Sequence, residues 1–121
     1  MKICKEPEFR EIFYSKLSEL DVEKYDYVTG PGRSGAVAAV YASHYLGIPF
    51  VPYKLKLNDK VALIVDTAKM SGRTLRRASR RYDEADTVFA IDESKDKVHI
   101  RFWYEEISVS RGRGNEFKKV S

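Results

Sequence analysis

Apolar residues along this chain recur at two different periods, and the alternation between the two sketches a fold. From Pro7 to about Lys24, Phe9, Ile12, Phe13, Leu17 and Leu20 return every three or four positions. That spacing is one face of an amphipathic helix, with Pro7 suited to its first turn. A short apolar run then predicts a strand at 26–29, followed by a tight loop from Gly30 to Gly35 and a small-residue helix at about 34–46 that Gly47 stops. Further strands are expected at 49–53, 61–66 and 86–91, with a helix over 72–82 whose narrow buried stripe is Leu75, Ala78, Ser79 and Tyr82. From Lys97 to Tyr104, Val98, Ile100, Phe102 and Tyr104 alternate with His99, Arg101 and Trp103, the pattern of a half-buried edge strand. Strands alternating with helices predict an α/β fold: one domain over 1–110, with a mostly parallel sheet flanked by helices on both faces. Residues 111–121 carry two glycines and four basic residues and are expected to form a basic, flexible tail.

The most informative stretch is 61–74, Val-Ala-Leu-Ile-Val-Asp-Thr-Ala-Lys-Met-Ser-Gly-Arg-Thr. An apolar run stops at Asp66, passes through a polar loop, and opens a helix near Ser71-Gly72-Arg73-Thr74. Ligands in open α/β sheets sit at the carboxyl ends of strands, and a helix N-terminus offers N–H donors to an anion. The expected site is therefore one for a sugar phosphate, with Asp66 facing hydroxyls and the loop holding phosphate. Gly30-Pro31-Gly32-Arg33-Ser34-Gly35 adds a second glycine-rich loop. Its glycines allow backbone amides to approach an anion, and Arg33 presents a planar fork to phosphate oxygens. The same residues also form ordinary turns.

Residues 61–74 resemble the phosphoribosyl pyrophosphate (PRPP) motif of type I phosphoribosyltransferases: four apolar residues, two adjacent acids, two apolar residues, then a Thr/Ser-Gly-x-Thr loop. Here Ala62-Leu63-Ile64-Val65 supplies the strand, Asp66 the first acid, and Ser71, Gly72 and Thr74 the phosphate loop. Thr67 stands where the family has its second acid, and Lys69 where it tends to be apolar. Residues 25–53 resemble the strand, pyrophosphate loop and helix that precede the motif. The resemblance implies a phosphoribosyltransferase-like fold with a reduced hood and, since only 54–60 separates two strands, no long lid loop. It also implies that Asp66 is catalytic, that Asp66, Thr67, Ala68, Lys69, Met70, Ser71, Gly72, Arg73 and Thr74 bind substrate, and that Gly30 to Gly35 cradle pyrophosphate. Mg²⁺ would be bound mainly through the substrate, with no metal-ligand set of the protein's own. A site without a lid needs another shield, such as a second copy of the chain in a homodimer.

Composition narrows these readings without changing them. The chain has 121 residues, 43% hydrophobic and 33% charged, enough for one soluble domain. No apolar stretch reaches the length of a membrane span, the N-terminus lacks the apolar core of a signal peptide, and the single Cys4 cannot form an internal disulfide. A cytoplasmic location is expected. The net charge of +4 is uneven: Arg73, Arg76, Arg77, Arg80 and Arg81 crowd one helix and Arg111, Arg113, Lys118 and Lys119 the tail. A solvated face is the default for the helix arginines; only Arg73 lies close enough to the loop to suggest ligand contact. Phe102, Trp103 and Tyr104 can stack a nucleobase, or serve as strand and core residues.

Three functions follow in order. The first is transfer of phosphoribose from PRPP to a nitrogen base with release of pyrophosphate. The second is a non-catalytic PRPP or nucleotide sensor or sequestering protein, which Thr67 favours because a lost carboxylate near a developing cation costs a few kcal/mol of transition-state stabilisation, on the order of one electrostatic donor. The third is nucleic-acid binding by the arginine helix, with no interleaved aromatics to support it and no specific binding expected. The nucleobase or other acceptor is not encoded in any motif.

Overall fold

The computed structural model describes residues 2–55, 57–69, 71–96 and 99–105. Three strands form the central sheet: β2 (Tyr27–Thr29), β3 (Val61–Lys69) and β4 (Glu84–Asp92), in the order β2-β3-β4 and all parallel. A second, two-stranded parallel sheet pairs β1 (Lys2–Cys4) with β5 (Ile100–Phe102), so that Cys4 lies opposite Phe102. Four helices connect them: α1 (Glu6–Leu17), α2 (Gly32–Leu46), α3 (Arg73–Ser79) and the short α4 (Glu93–Asp96).

The two faces of the sheet are filled by alternate residues of the same strands, as period-two geometry requires. Val28, Leu63 and Val65 pack with Phe9, Phe13 and Leu17 of α1 and Ala38, Ala39 and Ala42 of α2. Tyr27, Ala62 and Ile64 pack with Leu75 and Ala78 of α3 and with Tyr82. Helices therefore cover both faces, as the sequence predicts. β3 is central and buried from Ala62 to Thr67, which explains its unbroken apolar run.

Several boundaries differ from expectation. The first helix ends at Leu17 because the Ser18 hydroxyl turns back to the Ser15 carbonyl (2.6 Å) and Asp21 caps a 3₁₀ turn at Val22–Lys24 by accepting from the Glu23 amide (3.2 Å). The strand at 49–53 is a single bridge, Val28 to Phe50, since Pro49 and Pro52 remove ladder donors on either side. α3 stops at Ser79, short of residue 82, and β4 is longer than 86–91. The strand near 97–104 shrinks to Ile100–Phe102; it pairs with an N-terminal strand absent from the sequence reading and not with the edge of the main sheet. Val98 and the tail at 111–121 lie outside the described residues.

Cys4 is fully buried in the core with Phe9 and Phe13 of α1. The connection between Tyr53 and Val61 is pinned: the Lys54 amide donates to the Tyr82 hydroxyl (2.9 Å), and Lys54 and Asp59 turn through positive φ (81° and 60°). Among the described residues no helix is long and apolar enough to cross a membrane.

Candidate functional site

The site is built where β3 runs out against two loops. Asp66 follows Ala62 and Ile64 on the α3 side of β3 and lines a cleft of ≈ 90 Å³ with Ala68, Lys69, Ser71, Gly72, Arg73, Thr74 and Leu75. The strand continues three residues past Asp66, paired with β4 as far as Lys69–Asp92, so the carboxylate sits inside the strand and not at its tip. Thr67 alternates to the other face and does not line the cleft. Met70 lies outside the described residues.

Gly72 enters α3 with φ +79°, the left-handed conformation that favours glycine. Around it the loop is braced from within. The Ser71 hydroxyl accepts from the Arg73 amide (3.2 Å), and the Arg76 guanidinium donates to the Ser71 carbonyl (3.2 Å). Arg76 is exposed, as the solvated-face reading expects, and from that face it also braces the loop. α3 has seven residues, too few for a large helix dipole. Any anion here relies on loop and first-turn amides, those of Thr74 and Leu75 having no acceptor earlier in the helix. The Lys69 ammonium is drawn to Asp92 (3.6 Å) and over the Phe89 ring (5.1 Å).

The Gly30–Gly35 loop abuts the same strand. A Cβ on Gly30 would stand 2.1 Å from the Gly35 carbonyl oxygen and 2.7 Å from that of Val65, and one on Gly35 would stand 2.5 Å from the Gly30 carbonyl carbon. Backbone packs directly on backbone here, which only two glycines permit. Gly32 opens α2 with φ +67° after Pro31 as N-cap. Gly32 and Arg33 are exposed, Pro31 is buried, and the Ser34 hydroxyl hydrogen-bonds the Asp66 carboxylate, tying this loop to the cleft.

Asp66 is 7% exposed. Burial raises its carboxyl above the ordinary carboxylate range, opposed by the Thr67 amide (2.8 Å to Oδ1) and the Ser34 hydroxyl. Thr67 is equally buried, and its hydroxyl lies 2.9 Å from the Tyr104 hydroxyl. Tyr104 also bonds Ser34, and burial pushes its phenol up to about 12. The sequence placed Tyr104 among aromatics able to stack a base; its hydroxyl, beside the missing acid, had no signal in any motif. Phe102 and Trp103 are packing residues, Phe102 buried in the first core and Trp103 against Phe9 (5.3 Å) and Tyr41 (6.1 Å).

This donor set can be tested against the Mg²⁺ that the resemblance implies. Mg²⁺ takes oxygen ligands, usually a carboxylate or two with several waters. Asp66 is one carboxylate, buried, with its charge disfavoured and two donors already on it; its neighbour is a neutral hydroxyl. Among the described residues no three His, Cys, Asp or Glu side chains converge. The described residues therefore do not fit a Mg²⁺ held by the protein alone.

A roomier groove of ≈ 460 Å³ lies between α1 and α2, lined by Glu6, Arg10, Tyr14, Val40, Tyr41 and His44. It shares no lining residue with the smaller cleft.

A parallel sheet with helices on both faces is also the fold of solved phosphoribosyltransferases. The purine phosphoribosyltransferase from Pyrococcus horikoshii OT3 has this architecture: 85% of the present chain superposes on 94% of that one at a TM-score of 0.65, with 22% sequence identity. An adenine phosphoribosyltransferase aligns over 79% of this chain and 78% of its own, at 18% identity and a TM-score of 0.48. Neither a protein-family model nor a curated protein sequence matches the chain.

Proposed function

We propose that the chain binds a 5′-phosphoribosyl compound in the cleft between Asp66 and residues 71–75, and transfers phosphoribose from PRPP to a nitrogen base. The observation that carries this is the buried Asp66 sharing one cleft with Ser71, Gly72 and Thr74. The shared fold with a purine phosphoribosyltransferase supports it. In the transfer, a lone pair on the base nitrogen bonds to C1 of the ribose as the C1–oxygen bond breaks, and that electron pair leaves with pyrophosphate. Asp66, ionised, accepts from ribose hydroxyls and stabilises the positive charge that develops on the ring. Loop amides and the hydroxyls of Ser71 and Thr74 hold the 5′-phosphate, while Arg33 and the amides of Gly32 to Ser34 face the pyrophosphate; the Gly35 amide is already spent on the Pro31 carbonyl (3.0 Å).

Calorimetric titration with ribose 5-phosphate and PRPP, alongside an assay for base-dependent pyrophosphate release, tests this reading. Binding and release are expected in the parent, and Asp66→Ala should abolish release. A parent that binds neither compound contradicts the proposal.

One observation favours a second reading, binding without turnover. Thr67 is buried under Tyr104, so no second negative charge faces the ribose. Should the parent bind PRPP but release no pyrophosphate with any purine or pyrimidine base, the chain is a sensor or sequestering protein.

A further inference from the structure

A second pocket, of ≈ 220 Å³, opens beside the Asp66 cleft and shares Lys69, Gly72 and Leu75 with it. Arg76, Ser79, Thr87 and Phe89 complete its lining, so it holds two cationic side chains, two hydroxyls and no acid among the described residues. The two cations converge where Gly72 lacks a side chain. A Cβ there would stand 3.0 Å from Nη1 of Arg76 and 3.8 Å from Cε of Lys69. Arg76 gives one donor to the Ser71 carbonyl and keeps the rest of its fork for a ligand. Lys69 approaches Asp92 at 3.6 Å, too far for a hydrogen bond, and Asp92 is already served by the amide (3.0 Å) and the hydroxyl of Ser94. Like charges closing on one point repel, and an anion between them relieves that repulsion. The pocket has room for one, several times the roughly 30 Å³ share of a single water.

We propose that this pocket seats a second phosphate: a ribose 5′-diphosphate ester places its α-phosphate in the cleft at residues 71–75 and its β-phosphate between Lys69 and Arg76, so that the chain prefers nucleoside 5′-diphosphates to 5′-monophosphates. The inference rests on the phosphoribosyl reading of the cleft and extends it past the 5′-phosphate. The shared wall of Lys69, Gly72 and Leu75 makes the two pockets neighbours, as successive phosphates of one ester are. A planar guanidinium fork and an ammonium point charge suit a terminal phosphate, which carries more charge than an internal one. A nucleobase or a sugar in the same place would leave both cations unpaired. Seated this way, the diphosphate ester covers the ribose and 5′-phosphate positions and competes with PRPP. Arg76 is exposed, so water screens part of its charge and holds the gain to about tenfold.

The test is calorimetric titration of the full chain with AMP, ADP and inorganic pyrophosphate in EDTA, which keeps ligand-chelated cations out of the comparison. In the parent, ADP should bind about tenfold tighter than AMP and should displace PRPP. Thr87 is exposed in the second pocket and does not line the Asp66 cleft, so Thr87→Glu puts a carboxylate beside the two cations and away from the first phosphate. It should bring ADP to within about twofold of AMP. Arg10→Gln makes the same change in net charge from the groove between α1 and α2, and should leave the preference for ADP standing. Equal affinity of the parent for AMP and ADP overturns the proposal, and this arm needs no variant to fold. So does a preference that Thr87→Glu keeps, which would seat the second phosphate elsewhere, or one that Arg10→Gln loses as fully, which would mark net charge alone. Pyrophosphate that binds the parent as tightly as ADP, and weakens in Thr87→Glu, would make the free anion the ligand and overturn the ester. A parent that binds neither AMP, ADP nor ribose 5-phosphate sinks the phosphoribosyl reading itself, and this inference with it.

Discussion

Asp66 is costly to the fold in the same measure as it is useful to the site. Burial raises its folded pKa above the unfolded value, so the folded state holds the proton more tightly. Stability is then highest with the carboxyl protonated and falls as pH rises from the unfolded pKa through the folded one, leaving the full penalty in force at neutral pH. Asp66→Asn should raise the thermal midpoint at neutral pH, flatten the pH dependence of stability in the weakly acidic range, and remove phosphoribosyl binding. Circular-dichroism melts across that range, paired with titration of ribose 5-phosphate, check both halves; a destabilised Asp66→Asn would show that the charge holds the site together. Gly72 offers a second residue-scale prediction. A valine there meets the Arg76 guanidinium at about the Cβ distance of 3.0 Å and must also adopt φ +79°. Left-handed backbone costs an L-residue roughly 1–2 kcal/mol, so Gly72→Val should cost about that much stability and weaken ribose 5-phosphate binding strongly. The choice of glycine was legible in the Ser-Gly-x-Thr pattern, but its positive φ and its guanidinium neighbour were not, because neither is a property of local sequence.

At the scale of elements, the loop and α3 act as one unit, joined at Ser71 by the Arg73 amide and the Arg76 guanidinium (3.2 Å each). Arg76, Arg77 and Arg80 are all exposed, but Arg76 also reaches back along its helix to the Ser71 carbonyl, and Arg81 lies over the Tyr53 ring (5.7 Å). Arg76→Ala should therefore weaken phosphate-ester binding by roughly 1 kcal/mol, the usual net worth of one hydrogen bond, while Arg77→Ala and Arg80→Ala leave it unchanged. Titration of the three variants with ribose 5-phosphate decides it, and equal behaviour of all three would leave Arg76 no role beyond the solvated face. Sequence periodicity identified β3, α2 and the buried stripe of α3 because each repeats over enough residues to reveal its period. It overran the ends of α1 and α3, where the hydroxyls of Ser18 and Ser79 turn to backbone carbonyls (2.6 and 2.9 Å) while apolar residues continue the helical spacing. It also turned Phe50 and its proline neighbours into a strand on apolar character alone.

Across the whole molecule, β1 and β5 were the least legible part, since a three-residue strand carries almost no period and finds its partner only through the tertiary fold. Yet that small sheet fixes Phe102, hence the course of the chain into Tyr104, whose hydroxyl meets Thr67 (2.9 Å). Cys4 reports on it. The thiol is fully buried and pushed up to about 11, first by burial and then by Glu8. A thiol-labelling reagent should leave Cys4 unmodified in the folded protein at neutral pH and react in denaturant. Rapid labelling without denaturant would show that the β1–β5 pair opens readily, and Tyr104 would then be loosely held. The sequence put Asp66 beside both glycine loops, and in the fold Gly30 packs on the Val65 carbonyl while Asp66 shares a cleft with Ser71 to Leu75. Thr67 was placed at the ribose by its position in the motif, but strand alternation turns it to the opposite face, where it meets Tyr104.

The central claim is that the small cleft beside Asp66, and not the larger groove between α1 and α2, receives a 5′-phosphoribosyl group. Amide chemical-shift mapping of isotope-labelled protein titrated with ribose 5-phosphate tests it most directly. The account predicts saturable shifts at Asp66, at Ser71 to Leu75 and at Ser34 and Gly35, with α1 and the outer residues of α2 unmoved. Shifts centred on Arg10, Tyr14, Val40 and His44, or none that saturate, would contradict it.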